Sequence, residues 1–348
     1  MLSTSTSTST GASTLVSAAT AVPFVSVIVP TWNRAEFVEQ LLNALSFQVY
    51  PSDRLEVLVI DNSSTDNTEE VVAAASARFA FPVRYHRKAN DGPAASRNRG
   101  AELATGEILA FTDSDCLPVP GWIASAVSHF QQGVGVVCGP VRPAPITHEH
   151  PFFIHQVRSI EREEGLYPTA NAFYRRDVFF EFGGFDETSR TYSWGQPVGG
   201  DDTEFAWRVK RAGYASAFAK GAAILHQATP VRPKEYLLSA VQAQVIPRLA
   251  ASYPELRETC LYRHYFVHKD TATFDLLLFG LLLSRATRWS LLLGIPWLTT
   301  LYPLTKQDLW PPRYWGRAAA RVVLRVESAI LLELALLRSS VRNRTLVI

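Results

Sequence analysis

Two apolar runs, separated by a helix-forming stretch, constrain the fold of this chain more than any other feature. The first run, residues 24–29, is rich in β-branched side chains and is stopped by Pro30. The second run, residues 55–60, follows a stretch with apolar residues at helical spacing, residues 37–45. Buried parallel strands appear in sequence as continuous apolar runs, and strand, helix, strand is the repeating unit of parallel sheets. The order predicts an α/β fold.

The pattern continues as far as Pro230, after which the sequence changes to Leu-rich helices with interspersed arginines. We expect the section from 142 to about 200 to be a long irregular segment, which in a compact α/β domain is usually functional. Asp201 or Asp202 is expected to cap the helix that follows it. The spacing predicts further strands at 83–86, 107–112, 135–141 and 215–225, and helices at 69–77, 94–104, 122–130 and 201–212.

Composition limits the class of protein. The chain has 348 residues, of which 47% are hydrophobic, and a formal net charge of +2, which excludes a wholly disordered chain and gives no support to nucleic-acid binding. The charge is uneven, because residues 257–348 hold 13 Lys and Arg against 6 Asp and Glu. We expect the acidic and basic parts to face different partners.

We predict three regions along the chain. Residues 1–22 read as a disordered leader, because the first 20 residues contain 12 Ser and Thr and lack an export signal. Residues 23–230 form the α/β domain, and residues 231–348 form a basic helical appendage. Three scattered cysteines without C-x-x-C spacing argue against a disulfide framework or a zinc site and favour a reducing compartment.

The most informative triplet is Asp113, Ser114, Asp115, at the end of an apolar strand. Side chains at i and i+2 of a strand share a face, so both carboxylates can converge on one divalent cation, or on a cation and a ribose. On its own the triplet is a weak signal, because two acids after a strand are equally typical of turns and caps.

Other polar residues follow the ends of strands in the same sheet. Asp61 ends the second apolar run, Asp201 and Asp202 open a helix, and His226 closes a late strand. Doubly wound sheets bind ligands at this edge, and the imidazole could join the same metal. The run at 90–100 adds arginines near that edge, a combination that suits a diphosphate.

With these residues in place, the chain resembles the family 2 glycosyltransferases of the GT-A fold. Any one of the motifs would be weak, but six in the family's order are not expected by chance. They are VSVIVPTWNR (25–34), VLVIDNSSTDNT (57–68), NDGPAASRNRG (90–100), GEILAFTDSDC (106–116), NAFYRRDVFFEFGGFDE (171–187) and GGDDTEFAWRVKRAGY (199–214).

The resemblance implies a site for a nucleotide-diphosphate sugar. The loop after the first strand would line the nucleotide pocket, Asp61 would accept a hydrogen bond from the base, and Asp113 would hold the ribose. The residues implied to bind the nucleotide sugar are Pro30, Thr31, Asn33, Arg34, Asp61, Arg97, Asn98, Asp113 and Ser114.

It also implies a metal site and a catalytic base. Asp115, Asp113 and His226 would hold a divalent cation, Mn²⁺ or Mg²⁺, which neutralises charge on the departing nucleotide diphosphate. The family's helix-opening acidic pair, usually Glu-Asp, supplies the general base, which maps to Asp202. Here the pair is Asp201 and Asp202, so the choice between them stays open.

The implied activity is an inverting transfer of a sugar to a hydroxyl of a glycan or lipid-linked acceptor. A non-enzymatic alternative is a membrane-associated scaffold with a degenerate sugar-nucleotide site. A nucleotidyltransferase also uses paired acids and a metal, but it would normally carry a Gly-rich loop with a lysine after the first strand, where this chain has residues 30–34.

Asn171 and Trp194 are expected to shape the acceptor site, and His148, His150 and His155 lack the rest of a metal site.

The C-terminal region suggests a membrane surface as a partner. Its longest charge-free stretch, Trp289 to Thr305, has 17 residues and two prolines, fewer than the roughly 20 that a spanning helix needs. Leucine, aromatic and arginine side chains on helices suit an amphipathic region lying on an anionic membrane. We therefore expect a cytoplasmic protein, peripheral on the cytoplasmic face. The alternatives are a helical subdomain packed on the sheet or a dimer interface.

Overall fold

The computed structural model describes residues 22–145, 157–189, 191–193, 196–302 and 315–348. Apart from Val22, the predicted leader lies outside these ranges. Trp194 and the three histidines of the 148–155 segment also lie outside them.

The strands and helices alternate in the order that the apolar runs predict. The strands are β1 (Val25–Thr31), β2 (Leu55–Asp61), β3 (Val83–Arg87), β4 (Ile108–Phe111), β5 (Cys116–Pro118), β6 (Val134–Cys138), β7 (Val141–Pro143), β8 (Ala172–Arg175), β9 (Thr191–Ser193), β10 (Gln196–Val198), β11 (Ala215–Phe218) and β12 (Ile224–His226). The helices up to the predicted boundary are α1 (Ala35–Ser46), α2 (Thr68–Ser76), α3 (Pro93–Leu103), α4 (Trp122–Val127), α5 (Arg176–Glu181) and α6 (Asp201–Arg211).

Seven strands form the central sheet, in the order β11-β6-β8-β4-β1-β2-β3. β1 pairs in parallel with both β2 and β4, and β2 pairs in parallel with β3. All seven residues of β1 and of β2 are buried, which explains their continuous apolar runs. Gly100 of α3 lies so close to the sheet that a Cβ there would be 2.4 Å from Cγ2 of Ile28. The α/β fold class with a mostly parallel sheet is confirmed.

Pro30 lies inside β1 and does not stop it, contrary to the prediction. On the β4 side, the N–H of Thr112 donates to the carbonyl of Ile28 at 3.3 Å. The backbone N–H of a residue at position 30 would point toward the same neighbouring strand as Ile28 does. That strand, β4, has already ended at Phe111. The N–H that proline lacks therefore has no ladder hydrogen bond to make, so the strand tolerates it.

The section after residue 142 is less irregular than predicted. β8 lies in the middle of the sheet, antiparallel to β4 and β6, and is followed at once by α5. A four-residue strand that itself ends in Arg175 gives no long apolar run, which is why the sequence pattern missed it. The predicted strand at 215–225 is two strands, β11 in the large sheet and β12 in a three-stranded sheet ordered β5-β12-β7.

Neither Asp201 nor Asp202 caps α6, which corrects a second prediction. The N-cap is Gly200, in a left-handed conformation with φ of 102°, and no side chain accepts a hydrogen bond there. A Cβ at this glycine would lie 2.5 Å from Cγ2 of Val245. Both aspartates are thus in the first helical turn, where the helix dipole favours negative charge.

Helices make up the rest of the described chain: α7 (Pro233–Val241), α8 (Val245–Ser252), α9 (Leu256–Thr259), α10 (Lys269–Leu283), α11 (Ile295–Leu298) and α12 (Trp315–Arg342). Leu249, Tyr253 and Leu256 share a buried cluster with the sheet, so α8 and α9 pack on it. None of the described helices is both long enough and apolar enough to cross a lipid bilayer. The division of the chain at residues 230 and 231 stays a prediction.

Candidate active site

A cleft of about 540 Å³ opens at the carboxyl ends of β1 and β4, a volume typical of small-molecule sites. Ligands bind at this edge in open α/β sheets. The predicted residues that line it are Pro30, Thr31, Arg34, Arg97, Asp113, Ser114, Asp115 and His226. Asn33, Asp61, Asn98, Asp201 and Asp202 are not among its lining residues.

Asp113 and Asp115 meet through a turn, which corrects the expectation that they share a strand face. β4 ends at Phe111, and the N–H of Cys116 donates to the carbonyl of Asp113 at 3.1 Å. This turn leads directly into β5. The two carboxylates are therefore brought together by the tight reversal of the chain between β4 and β5.

Strand pairing places His226 beside these carboxylates. In the antiparallel pair of β12 and β5, His226 is opposite Cys116. The N–H of Gln227 donates to the carbonyl of Asp115 at 2.8 Å, which fixes the register. As a result, Nε2 of His226 lies 3.6 Å from Oδ1 of Asp115.

The ligand atoms of Asp113, Asp115, Cys116 and His226 all lie within 4.8 Å of one another, an arrangement that could hold a metal ion. Oδ1 of Asp115 is buried and has no hydrogen-bond partner, which is costly unless a ligand satisfies it. Burial and the nearby Asp113 and Asp115 raise the pKa of the Cys116 thiol well above its usual value, and sulfur is a soft ligand that hard cations such as Mg²⁺ do not favour. Two carboxylates and an imidazole remain, a donor set that fits a divalent cation.

Two arginines contact the acidic pair. Arg34 donates from Nη1 to Oδ2 of Asp115, and Arg97 donates from Nη2 to Oδ1 of Asp113 at 2.7 Å. The Arg34 side chain is 40% exposed, whereas Arg97 is buried. Burial alone would lower the pKa of Arg97, but Asp113 and Asp201 raise it above its usual value. The Arg97 guanidinium is therefore charged, and both arginines lie on the lining of the cleft.

Asp201 and Asp202 form a second acidic centre, which Arg97 couples electrostatically to the first. Burial, and then the neighbouring Asp201, raise the pKa of Asp202 to about 6. Burial also raises the pKa of Asp201, against the opposing effect of Arg97. A carboxyl with a raised pKa that remains ionised near neutral pH has the properties of a general base.

Asp61 is fully buried and holds the loop after β2. Its Oδ1 accepts hydrogen bonds from the backbone N–H and the hydroxyl of Ser64, at 3.0 and 2.5 Å, and its Oδ2 accepts one from Tyr85. Asn33, with φ of 51°, ties the first loop to the second by accepting from the N–H of Thr65 at 2.7 Å. A contact between Asp61 and a nucleotide base stays a prediction.

Asn98 is directed away from the cleft. Its amide donates to the carbonyl of Phe185 and to Glu187, both at 2.8 Å, and its oxygen accepts from the N–H of Phe185 at 2.9 Å. Asn98 therefore holds the turn that begins at Gly183 and Gly184, which both have positive φ. Its predicted place near the nucleotide remains untested, but in this structure its polar atoms serve that turn.

Asn171, expected to shape the acceptor site, lies inside the fold. It is fully buried, its oxygen accepts from the indole N–H of Trp122 at 2.8 Å, and its amide donates to the carbonyls of Pro140 and Ala222. These hydrogen bonds join the end of β6 to α4 and to the turn before β12. Asn171 thus stabilises the fold, which is what a buried and fully bonded amide indicates.

The cleft also contains residues that the sequence alone did not single out. Trp32, 55% exposed, lies on its lining, together with Asn62, Asn90 and Thr229. An aromatic residue in a loop directly after a buried strand was the available signal for Trp32, because large aromatic side chains are usually buried.

Known proteins resemble this chain in sequence. Residues 26–185 match the model of glycosyl transferase family 2. Over 234 residues the chain is 32% identical to glycosyltransferase AglE of Haloferax volcanii. This alignment covers 64% of this chain and 74% of AglE. It is 35% identical over 107 residues to validoxylamine A glucosyltransferase of Streptomyces hygroscopicus, of which it spans 25%.

A solved structure shares the fold. The mannosyltransferase PcManGT of Pyrobaculum calidifontis, in complex with GDP-Man and Mn²⁺, aligns with a TM-score of 0.54 at 21% identity, over 90% of this chain and 88% of that one. This likeness confirms the predicted GT-A architecture with C-terminal helices. The family match and the likeness to AglE show that the chain belongs to glycosyl transferase family 2 and is a glycosyltransferase.

Proposed function

We propose that this glycosyltransferase transfers a sugar from a nucleotide-diphosphate sugar to an acceptor hydroxyl, with inversion at the anomeric carbon. The observation that carries the proposal is the unpartnered buried oxygen of Asp115, which is faced by His226 and Asp113 in a cleft that also holds two arginines. This combination suits a donor that brings a diphosphate and is bound together with a divalent cation.

The donor half of the cleft would recognise the nucleotide through three side chains. The exposed indole of Trp32 offers a face on which a base can stack. The guanidinium groups of Arg34 and Arg97 are the groups best shaped to hold phosphate oxygens. Since Arg34 is partly exposed and pairs with Asp115, it is placed to exchange that carboxylate for a phosphate.

Asp113, Asp115 and His226 would hold Mn²⁺ or Mg²⁺. When bound, such a cation stabilises the negative charge that develops on a departing diphosphate. PcManGT was solved with GDP-Man and Mn²⁺, a donor and a metal of the classes proposed here.

Asp202 would act as the base. Its ionised carboxylate accepts the proton of the acceptor hydroxyl as that oxygen forms a bond to the anomeric carbon. The bond between the anomeric carbon and the diphosphate oxygen breaks, and its electron pair leaves with the nucleotide diphosphate. A single displacement on the face opposite the leaving group inverts the configuration.

The acceptor in this proposal is a saccharide or lipid-linked hydroxyl, and the protein acts at the cytoplasmic face of a membrane. One relative, validoxylamine A glucosyltransferase, is named for a small-molecule acceptor, and this chain spans 25% of its length.

The test is a turnover assay of the full chain with a panel of nucleotide-diphosphate sugars, Mn²⁺ or Mg²⁺, and a set of hydroxyl acceptors. We expect metal-stimulated release of nucleotide diphosphate from at least one donor, abolished in Asp115→Asn. Asp177→Asn is a matched control, because Asp177 is likewise paired with an arginine, Arg175, but lies at the start of α5, away from the cleft. Donor binding without turnover under any condition would instead favour a non-catalytic scaffold.

A further inference from the structure

Residues 276–302 present an unusually apolar outer surface, which we call the apolar cap. It comprises the second half of α10, the 3-10 segment Arg288–Gly294 and α11. Leu282 is 73% exposed, Trp289 79% and Tyr302 64%. Large exposed apolar patches on soluble proteins mark binding surfaces for proteins or membranes.

The cap is rigid enough to hold these side chains outward. Ser290 donates to the carbonyl of Gly280 at 2.8 Å, and a Cβ on Gly280 would lie 2.4 Å from the carbonyl oxygen of Ser290. On the inner side, Phe274 and Trp297 pack with ring centroids 5.0 Å apart, against Ala329 of α12. The inner face is thus already used, whereas Leu282 and Trp289 on the outer side are exposed, and neither side chain has a hydrogen-bond or ring partner among the described residues.

Charge identifies the class of partner. Between residues 276 and 302 the only charged side chains are Arg285 and Arg288, at the turn that joins α10 to the 3-10 segment, and both are exposed. Within the described ranges, neither arginine forms an ion pair with an acidic side chain. A two-fold pairing of caps would bring four arginines together without an acid from the cap to neutralise them. An anionic partner is therefore favoured over a second copy.

We propose that the apolar cap docks on the surface of a lipid bilayer that contains anionic lipids. The leucines and Trp289 enter the boundary between headgroups and acyl chains, where tryptophan and tyrosine are enriched, and Arg285 and Arg288 contact lipid phosphates. This inference rests on the proposed action at a membrane and names the surface that would carry it, whereas donor binding in the cleft does not depend on it.

The test is co-sedimentation of the full chain with phosphatidylcholine vesicles, with and without phosphatidylglycerol. We expect binding to the mixed vesicles, weakened by about fivefold for each arginine replaced in Arg285→Gln and Arg288→Gln. The double variant Leu282→Glu, Trp289→Glu should lose at least about tenfold in affinity, because it removes the inserting side chains.

Phe47→Glu and Val49→Glu are matched controls, because these side chains are 71% and 72% exposed but lie next to α1, on the sheet side of the molecule. They should bind vesicles like the parent chain, and circular dichroism should show that every variant is folded. Equal binding by the cap variants and the controls would overturn the proposal. So would a dimer of the parent chain that dissociates in the cap variants, or no binding to the mixed vesicles. Donor binding measured on the same samples keeps these outcomes separate from a failure of the proposed function.

Discussion

Residues 22–260 and residues 261–348 use their apolar side chains in opposite ways. In the described part of the first region, five large apolar side chains are exposed, against twenty in the described part of the second. The sheet buries its apolar runs on both faces, whereas the clusters centred on Leu261 and on Phe274 each contain only three buried residues. The apolar side chains of the first region thus form a packed core that positions a polar cleft. In the second region many of them are exposed on the surface.

Sequence patterns constrain the structure of the first region more strongly than that of the second. In the first region the packed sheet leaves few alternatives, and the chemistry is concentrated at strand ends, as ligand binding in open α/β sheets requires. In the second region the leucines do not determine which helix face is buried, since the same composition suits a packed subdomain, a dimer interface or a membrane surface.

Removing the base should have the largest effect on activity. Asp202→Asn keeps the side-chain shape but cannot accept a proton, so we expect kcat to fall by about 10²- to 10⁴-fold with little change in donor affinity. Initial rates at saturating donor measure this. If Asp201→Asn loses activity and Asp202→Asn keeps it, the base is Asp201 and our assignment is wrong.

The pH dependence of the reaction follows from the same group. With a pKa raised to about 6 by burial and by Asp201, Asp202 is ionised above that pH and protonated below it. The rate should therefore fall about tenfold per pH unit below about 6 and be flat above it, until another group titrates. A rate that is unchanged between about pH 5 and pH 7 would contradict a carboxylate base with this pKa.

The next effect is on stability and contrasts the two regions directly. Asn171→Ala leaves the Trp122 indole and the carbonyl of Ala222 without these partners and takes one of two hydrogen bonds from the carbonyl of Pro140, so we expect unfolding to become easier by about 3 kcal/mol. Asn343→Ala in α12's C-terminal flank removes a half-buried amide that donates to Ser339 at 2.7 Å, and should cost no more than about 1 kcal/mol. Denaturant unfolding of both variants gives the comparison. Equal losses would show that the second region is packed as tightly as the first.

A smaller effect is expected on donor recognition. Trp32→Ala removes the exposed aromatic face from the cleft, and we expect donor affinity to fall by about tenfold while metal binding is unchanged. Trp32→Phe should recover most of the affinity, because it restores an aromatic face. Loss of metal binding in Trp32→Ala would mean that the residue supports the fold of the loop instead.

The smallest effect concerns the helices of the second region. Burial, and then Asp275, raise the pKa of Glu333 to about 8, above its value in an unfolded chain. The folded state therefore binds more protons than the unfolded state between about pH 4 and pH 8, so its stability falls as pH rises through that window. Glu333→Gln should raise Tm at about pH 8 and leave it nearly unchanged at about pH 4. Glu327→Gln, an exposed control on the same helix, should change neither.

The sequence pattern predicted β1 and β2 well because a strand buried on both faces must be apolar throughout. It missed β8, whose four residues carry too little pattern, and it placed Pro30 at the end of a strand that continues beyond it. The residues at the cleft were largely foreseen, but not how they meet. The turn between Asp113 and Asp115, the N-cap at Gly200 and the use of Asn98 and Asn171 inside the fold depend on contacts between distant parts of the chain.

Asp113, Asp115 and His226 are proposed to form a divalent cation site in the cleft. The direct measurement is a Mn²⁺ titration followed by electron paramagnetic resonance, on the full chain with nucleoside diphosphate present. We predict saturable binding at one site, with affinity at least about 10- to 100-fold weaker in Asp115→Asn and unchanged in Asp177→Asn. Equal Mn²⁺ affinity in all three proteins would contradict the account.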